Sequence, residues 1–231
     1  MAPFAVKARE RFQPPVWWVD TVGGPAMVAE AHYPATLEGH GLDLRPWDED
    51  LVRQMGQWQE YGFPYHAFDL GFLRDPDRAA RELAKHSTPD QHRHFVACEG
   101  REAVGRVSVN LRDAAGLYLW AVHVPPEYQG RGVARRMLTV LIEWLERDQP
   151  GRDFVLTTNT FATRAHRAYR AVGFSVKETR WHYDRDIAAE LWDASPERRA
   201  PLMPHMRFHN GRWEVRTYLM ERPRGWRPLD A

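Results

Sequence analysis

The stretch that decides the fold is Val124-Pro-Pro-Glu-Tyr-Gln-Gly-Arg-Gly-Val-Ala134. It follows a mainly apolar run at residues 117–124 and opens an amphipathic pattern at Val133, an order that predicts a strand, a glycine-containing turn and a helix start. Unpaired backbone N–H groups and the positive end of the helix dipole meet at such a turn, which favours a pyrophosphate. Gly130 and Gly132 carry no Cβ, so an anion can approach the backbone closely and positive φ angles cost little.

Two other phosphate-binding motifs do not fit this turn. A dinucleotide-binding fingerprint needs G-x-G-x-x-G within a parallel strand–helix–strand unit. Here Arg135 stands at the third glycine position, and the preceding strand belongs to a predicted meander. A P-loop needs G-x-x-x-x-G-K followed by Ser or Thr, and the chain contains no such sequence.

The composition is that of an ordinary globular protein of 231 residues, 43% of them hydrophobic. The 32 basic and 31 acidic side chains leave a net charge of +1, so charge gives no reason to expect nucleic acid or a membrane as a partner. The start of the chain lacks the apolar stretch of a signal peptide, and no run approaches the roughly 20 apolar residues of a membrane span. The single cysteine, Cys98, excludes an internal disulfide and is expected to be a buried thiol. We therefore expect a cytoplasmic protein.

The pattern along the chain predicts one main domain at residues 41–224. It contains, in order, a strand, two helices, three strands, a helix, a strand, a helix and two strands. Asp48 and Asp75 are the expected caps of the first two helices. Three further segments are an N-terminal extension expected to pack on the domain, an insertion and a tail, at residues 1–40, about 187–211 and 225–231.

The element order and two motifs resemble the GNAT superfamily of N-acetyltransferases. The first motif is the turn itself, where Gln129, Gly132 and Ala134 match the family's Gln/Arg-x-x-Gly-x-Gly/Ala pattern. The second is Asn159-Thr-Phe-Ala-Thr-Arg-Ala-His-Arg-Ala-Tyr-Arg-Ala-Val-Gly-Phe174, which matches the family's Asn…Ala…Tyr…Gly-Phe segment. Either motif alone would be moderate evidence, but two in the right order on the right elements are strong evidence.

The resemblance implies an α/β (α+β) fold. Its central sheet would be mixed, mostly antiparallel and flanked by helices, with about six to seven strands. In this family two parallel strands splay apart in a V at the cofactor site. Here the strands expected to separate lie at residues 117–124 and 154–159.

The resemblance also implies acetyl-CoA as co-substrate and no metal. The pantetheine arm would pair as an added strand with backbone groups of Val122 and Val124, and the Asn159 side chain would bond the same arm. Ala165 is small enough to let the cofactor pass close to its helix. The pyrophosphate would lie on the backbone of the turn, at Gln129, Gly130, Arg131, Gly132, Val133 and Ala134.

Two side chains are predicted to move protons. The family's corresponding tyrosine protonates the CoA sulfur, so Tyr169 is the predicted general acid, with an ordinary core tyrosine as the alternative. His123 is the predicted general base, because imidazole titrates near neutral pH and because the arylalkylamine branch of the family uses histidine at this place. Strand alternation would turn a residue between Val122 and Val124 away from the site unless a bulge re-aims it. Glu127 and a chain of water molecules are the other candidates for the base.

An aromatic run at residues 58–69 is expected to form the wall of the acceptor site. Phe63, Tyr65 and Asp69 are the predicted substrate-binding residues, because aromatic rings and carboxylates attract a cationic amine. The alternative is that these rings pack on Trp17-Trp18 of the extension and close a separate small core.

These features predict an acetyl-CoA-dependent N-acetyltransferase that acts on the primary amine of a small molecule, such as an amino acid, an amine antibiotic or a biosynthetic intermediate. Acetylation of a protein N-terminus or lysine is the second hypothesis. A catalytically idle GNAT-like binding module is the third. A homodimer agrees with the sequence, which leaves open the oligomeric state, the acceptor and any preference for longer acyl groups.

Overall fold

A computed structural model describes residues 36–65, 69–86, 92–113, 115–184, 187, 189 and 194–227. These described residues belong to one compact unit. Most of the predicted extension, residues 1–35 with Trp17 and Trp18, lies outside the described residues, as do residues 228–231 of the predicted tail.

Strands and helices follow one another in the predicted order. The strands are β1 (Leu37–Gly39), β2 (Leu42–Pro46), β3 (His92–Glu99), β4 (Glu102–Asn110), β5 (Leu117–His123), β6 (Phe154–Asn159), β7 (Ser175–His182), β8 (Met206–His209) and β9 (Arg212–Arg222). The helices are α1 (Glu49–Gly56), α2 (Pro76–His86), α3 (Val133–Asp148), α4 (Thr163–Ala171) and the short α5 (Pro196–Arg199). Short 3₁₀ turns are formed by Gly71–Arg74, Pro126–Tyr128 and Met203–His205.

The strands form one sheet of nine in the order β1-β2-β3-β4-β5-β6-β9-β7, with β8 paired to β9. Among the strands that the structure describes, only β5 and β6 run parallel; the other paired strands are antiparallel. This mixed, mostly antiparallel sheet with flanking helices confirms the predicted fold class. The two strands beyond the expected six to seven are β1 and β8, which have only three and four residues and so give no periodic signal. They fall in the segments predicted as the extension and the insertion.

Helices α1 and α2 begin directly after the predicted capping residues, Asp48 and Asp75. Asp48 Oδ1 accepts a hydrogen bond from the Leu51 N–H at 2.8 Å. Asp75 Oδ1 accepts from the N–H groups of Asp77 and Arg78 at 2.9 and 3.1 Å. These bonds satisfy donors that the first turn of a helix leaves unpaired. No helix in the described part of the chain is long and apolar enough to cross a membrane.

Two apolar clusters cover opposite faces of the sheet, and β3 shows this by its alternation. Phe95 and Ala97 belong to the cluster that packs against α3 and α4. Val96 and Cys98 belong to the cluster that packs against α1 and α2. Cys98 is fully buried in the second cluster, which confirms the predicted buried thiol.

Candidate active site

The parallel strands β5 and β6 separate part-way along their length. Their pairing covers Leu117 to Leu119 on β5 and Phe154 to Leu156 on β6 and stops there. β6 nevertheless continues to pair with β9 on its other side as far as Asn159. The C-terminal half of β5 therefore diverges from β6, which confirms the predicted V-shaped splay.

The glycine turn joins the end of β5 to α3 and is open towards solvent. Gly130 and Gly132 have φ angles of 81° and 73°, which L side chains rarely adopt. A Cβ on either glycine would meet no atom within 4 Å. Gly132 is the N-cap of α3 and offers no side-chain cap, and the first turn carries no acidic residue. The first N–H groups of α3 and its dipole thus face an open cradle that suits a pyrophosphate.

The Gln129 side chain connects this turn to the residue that follows β5 and to the start of α4. Its Nε2 donates to the Val124 carbonyl at 3.0 Å, and its Oε1 accepts from Arg164 Nη1 at 2.8 Å. Arg164 stands at the start of α4. Its contact with Gln129 joins residues 35 positions apart, so no local pattern predicts it. The Val124 carbonyl, one of the predicted pantetheine contacts, is thus already engaged within the protein.

β5 contains the bulge that the prediction for His123 requires. Three residues of β4, from Arg106 to Ser108, oppose four of β5, from Trp120 to His123, and Ala121 has φ 50°. One extra residue in a strand reverses the alternation of the side chains beyond it. Leu117 and Leu119 before the bulge, and Val122 and Val124 after it, all pack with the α3 cluster. His123 therefore lies on the opposite face, towards α1 and α2.

His123 makes a contact there that the sequence did not predict. Arg106 Nε donates to His123 Nδ1 at 3.1 Å, and the Tyr61 ring meets the imidazole edge to face with centroids 6.3 Å apart. Burial, together with the positive charge of Arg106, holds the pKa of His123 well below its usual range. The imidazole is therefore neutral at physiological pH, as a base must be, but its lowered pKa makes it a weaker proton acceptor and Arg106 occupies its Nδ1. Both features disfavour the prediction that it acts as the base.

Tyr169 lies in the apolar cluster beneath α4 and is 7% exposed. Its ring meets Phe174 edge to face at 6.2 Å. Burial raises the pKa of its hydroxyl, so the side chain keeps its proton at neutral pH. Ala165, one turn earlier on α4, packs partly buried against the same cluster. The Asn159 carbonyl accepts hydrogen bonds from the Ala162 N–H at 2.9 Å and from His166 Nε2 at 3.0 Å, which fixes the link from β6 to α4.

The predicted acceptor wall packs against the segment between β7 and β9. The Tyr65 hydroxyl donates to the Phe161 carbonyl at 3.3 Å, and the two rings lie 5.6 Å apart. The Arg198 guanidinium stands 4.5 Å from the centre of the Phe63 ring. Both Phe63 and Tyr65 pack against a third apolar cluster, formed by Phe161, Ile187, Leu202, Met206 and Val215. A separate small core is therefore present. Among the described residues, Phe63 and Tyr65 pack in it against side chains from this segment, from β9 and from just after β6.

The third predicted acceptor residue, Asp69, is engaged by the backbone. Its Oδ1 accepts from the Tyr61 N–H at 2.5 Å, which holds the loop after α1. Glu127 holds the same loop, because its Oε1 accepts from the Gln59 N–H at 3.1 Å. The other oxygen, Glu127 Oε2, is buried and has no hydrogen-bond partner among the described residues.

A model of the acetyltransferase (GNAT) family matches residues 47–174, more than half of the chain. The chain belongs to the GNAT acetyltransferase family. It is 30% identical over 118 residues to the aminoglycoside N(6')-acetyltransferase type 1 of Stenotrophomonas maltophilia, a match covering 47% of this chain and 76% of that protein. It is 32% identical over 116 residues to the N-alpha-acetyltransferase RimI of Mycobacterium tuberculosis, covering 48% of this chain and 68% of that one.

Solved structures of GNAT acetyltransferases share the fold at lower sequence identity. One is the microcin C7 self-immunity acetyltransferase MccE in complex with acetyl-CoA and AMP. It superposes with a TM-score of 0.52 at 11% identity and covers 80% of this chain and 93% of that one. At this identity the comparison supports the shared fold.

This GNAT domain brings most of the predicted donor-side residues together, at the end of β5, the turn and the start of α4. On the acceptor side, Phe63, Tyr65 and Asp69 are all held by contacts within the protein. Tyr61, Arg106 and Arg164 are residues of the site that the sequence did not single out. Within the described ranges, no group of three or more His, Cys, Asp or Glu side chains is placed so that it could hold a metal.

Proposed function

We propose that this GNAT acetyltransferase transfers an acetyl group from acetyl-CoA directly to the primary amine of a small molecule. The observation that carries the proposal is the position of the gap between β5 and β6, which opens where β5 leads into the uncapped start of α3. A strand-like arm can enter such a gap while an anion binds the adjacent helix start. The backbone of residues 129–134 would hold the pyrophosphate, and Val122, beyond the bulge, would pair with the arm.

Proton transfer would then be divided between Tyr169 and Glu127. Acetyl-CoA supplies the acetyl group as a thioester. The protonated Tyr169 hydroxyl would give its proton to the departing sulfur. Glu127 would accept the proton that the amine loses, because its Oε2 carries an unused lone pair at the loop that faces His123. This assignment replaces His123 as the preferred base, since Arg106 occupies its Nδ1.

A small acceptor is favoured over a peptide by the contacts that close the acceptor side. Tyr65 and Phe63 join the loop after α1 to the segment between β7 and β9. A peptide bound in an extended conformation needs a continuous groove, and these contacts pack the two segments against each other at Phe63 and Tyr65. The similarity to RimI keeps acetylation of a protein N-terminus as the second candidate.

The test is release of free CoA thiol from acetyl-CoA by the purified chain, with amines offered as matched pairs. Each pair consists of a free amino acid amide and a peptide that begins with the same residue, and aminoglycosides and polyamines complete the panel. We expect turnover with at least one small amine and at least about tenfold lower kcat/KM for its matched peptide. Faster turnover of the peptides would support the RimI-like alternative. CoA binding without turnover of any amine would support an idle module.

A further inference from the structure

Strand β7 stands at the end of the sheet and leaves a long edge open. Within the described part of the chain, β7 pairs with β9 alone. It has eight residues, more than the common strand length of about five to six, and residues 175–180 are exposed. Alternate residues of an edge strand direct their N–H and C=O groups away from the sheet. The β7 edge therefore offers backbone donors and acceptors to a further strand.

Two opposite charges lie side by side on this edge strand. Arg180 Nη2 and Glu178 Oε2 are 2.5 Å apart, and residues two positions apart on a strand share one face of the sheet. Both side chains are well exposed, Arg180 at 57% and Glu178 at 49%. Thr179, between them, belongs to the other face and is also exposed. Charged residues usually keep an edge strand from pairing with another chain, but they favour an arriving strand that has the opposite charge at each facing position.

A second copy of β7 places opposite charges at the facing positions in one register. Two copies of an edge strand pair antiparallel about a two-fold axis perpendicular to the sheet, so facing side chains must belong to the same face. When Thr179 lies opposite Thr179 of the second copy, Glu178 lies opposite Arg180 on both sides of the axis. A shift of two residues sets Glu178 opposite Glu178, or Arg180 opposite Arg180. A shift of one residue brings together side chains of different faces.

We propose that β7 is the dimer interface of this chain and pairs antiparallel with β7 of a second copy about Thr179. The two Glu178 and two Arg180 side chains then form a ring of four alternating charges, and the two sheets become continuous. The register shift between Val176 and Glu178 in the pairing with β9 limits regular pairing to the residues that follow it. The contact is therefore small and the dimer weak, dissociated at about 1 µM and formed at about 1 mM.

Sedimentation velocity of the full chain over this concentration range measures the dimer directly. We expect a reversible monomer–dimer equilibrium. Its Kd should rise at least about tenfold when NaCl is raised from about 0.1 M to about 1 M, because the screening length of exposed charges falls from about 10 Å to about 3 Å. A chain that stays monomeric at every concentration would overturn the proposal.

Charge reversal tests the pairing of Glu178 with Arg180. Glu178→Arg makes the four charges all positive and Arg180→Glu makes them all negative, so each variant alone should remain monomeric. An equimolar mixture of the two variants should dimerise, as should the double variant, because every positive charge again faces a negative one. Misfolded chains would not regain dimerisation in this way. Arg170→Glu, at an exposed position of α4, should dimerise like the wild type. Single variants that dimerise normally, or a mixture that does not dimerise, would refute the register.

A cysteine at the axis tests the position of the two-fold. Facing residues of antiparallel strands have Cα atoms about 4.5–5.5 Å apart, which a disulfide can span. Thr179→Cys should therefore give a cross-linked dimer under mild oxidation, and the native Cys98 is fully buried. Ser175→Cys, exposed at the start of the same strand, lies about 26 Å from its counterpart in this register and should give little. Equal yields, or no cross-link in Thr179→Cys, would show that the chain does not pair through β7 about this axis.

Discussion

Arg164 Nη1 donates a hydrogen bond to Gln129 Oε1 at 2.8 Å, which links the start of α4 to the turn that precedes α3. Because the Gln129 amide also donates to Val124, one side chain connects three elements around the opening between β5 and β6. Two motifs that are distant in sequence are thereby joined by a charged donor.

Removing this link should weaken donor binding. In Arg164→Met the Gln129 amide loses its charged partner and the turn loses its contact with α4. We expect the KM for acetyl-CoA, and the Kd for CoA by calorimetry, to rise about tenfold, equivalent to about 1.4 kcal/mol, with little change in kcat. Arg170→Gln removes the same charge from the last turn of α4 and serves as control. Equal effects of the two variants would show that net charge, and not the link, is responsible.

The open cradle in front of Gly132 gives a second prediction, with a matched control elsewhere in the sheet. Gly132 and Gly100 both have positive φ, 73° and 63°, and a Cβ on either would meet no atom within 4 Å. Alanine should therefore lower stability by about 1 kcal/mol at each position. Only Gly132→Ala should place a methyl group where the pyrophosphate is proposed to bind, and should raise the CoA Kd at least about tenfold.

Gly100 lies in the hairpin between β3 and β4, so Gly100→Ala should leave the CoA Kd unchanged. Thermal unfolding and calorimetry on both variants separate the two effects. A Gly132→Ala protein that binds CoA as tightly as the wild type would contradict the assignment of the turn.

The fold and the donor side followed from local patterns, whereas the acceptor side depends on contacts that no local pattern records. Gly132 and Tyr169 were predicted because a helix start and a helical face have fixed spacings. The pairing of Arg106 with His123 depends on the bulge at Ala121, a one-residue change of register with no sequence signature of its own. The contact of Tyr65 with Phe161 joins residues 96 positions apart. The aromatic run at residues 58–69 therefore indicates an apolar wall but does not identify the residues that pack against it.

Tyr169→Phe tests the proposed proton donor. The substitution keeps the ring within the α4 cluster and removes only the hydroxyl, so kcat should fall about 10²-fold while the KM for acetyl-CoA stays the same. Because burial raises the Tyr169 pKa above its ordinary value of 10.0, the wild type should show no loss of kcat from this group up to about pH 10. Tyr183→Phe, at a ring that is 41% exposed, is the control. Full turnover in Tyr169→Phe across the pH range would remove Tyr169 from the mechanism.

A mostly buried ion pair should contribute to the acid sensitivity of the fold. Arg222 Nη1 donates to Glu146 Oε1 at 2.8 Å, with side chains 5% and 19% exposed. Arg222 Nε also donates to the Val172 carbonyl at the end of α4 at 2.8 Å, so one guanidinium ties β9 to α3 and α4. Burial by itself would raise the Glu146 pKa, but the hydrogen bond and charge of Arg222 prevail and lower it. Protonation of Glu146 therefore weakens the folded state.

Because the folded-state pKa of Glu146 is depressed, the stabilisation is complete above about pH 4.3, the ordinary value for Glu, and is lost as pH falls through the depressed value. Arg222→Met leaves a mostly buried carboxylate without this partner and should lower the free energy of unfolding by about 3 kcal/mol at pH 7, with a fall in Tm of about 9 °C. The difference in unfolding free energy between Arg222→Met and the wild type, measured by urea unfolding, should become smaller between pH 5 and pH 3. Arg180→Met breaks an exposed pair with Glu178, whose side chains are 57% and 49% exposed, and should change stability by less than about 1 kcal/mol. A difference between wild type and Arg222→Met that stays constant over this pH range would show that packing around Arg222, and not its charge, stabilises the fold.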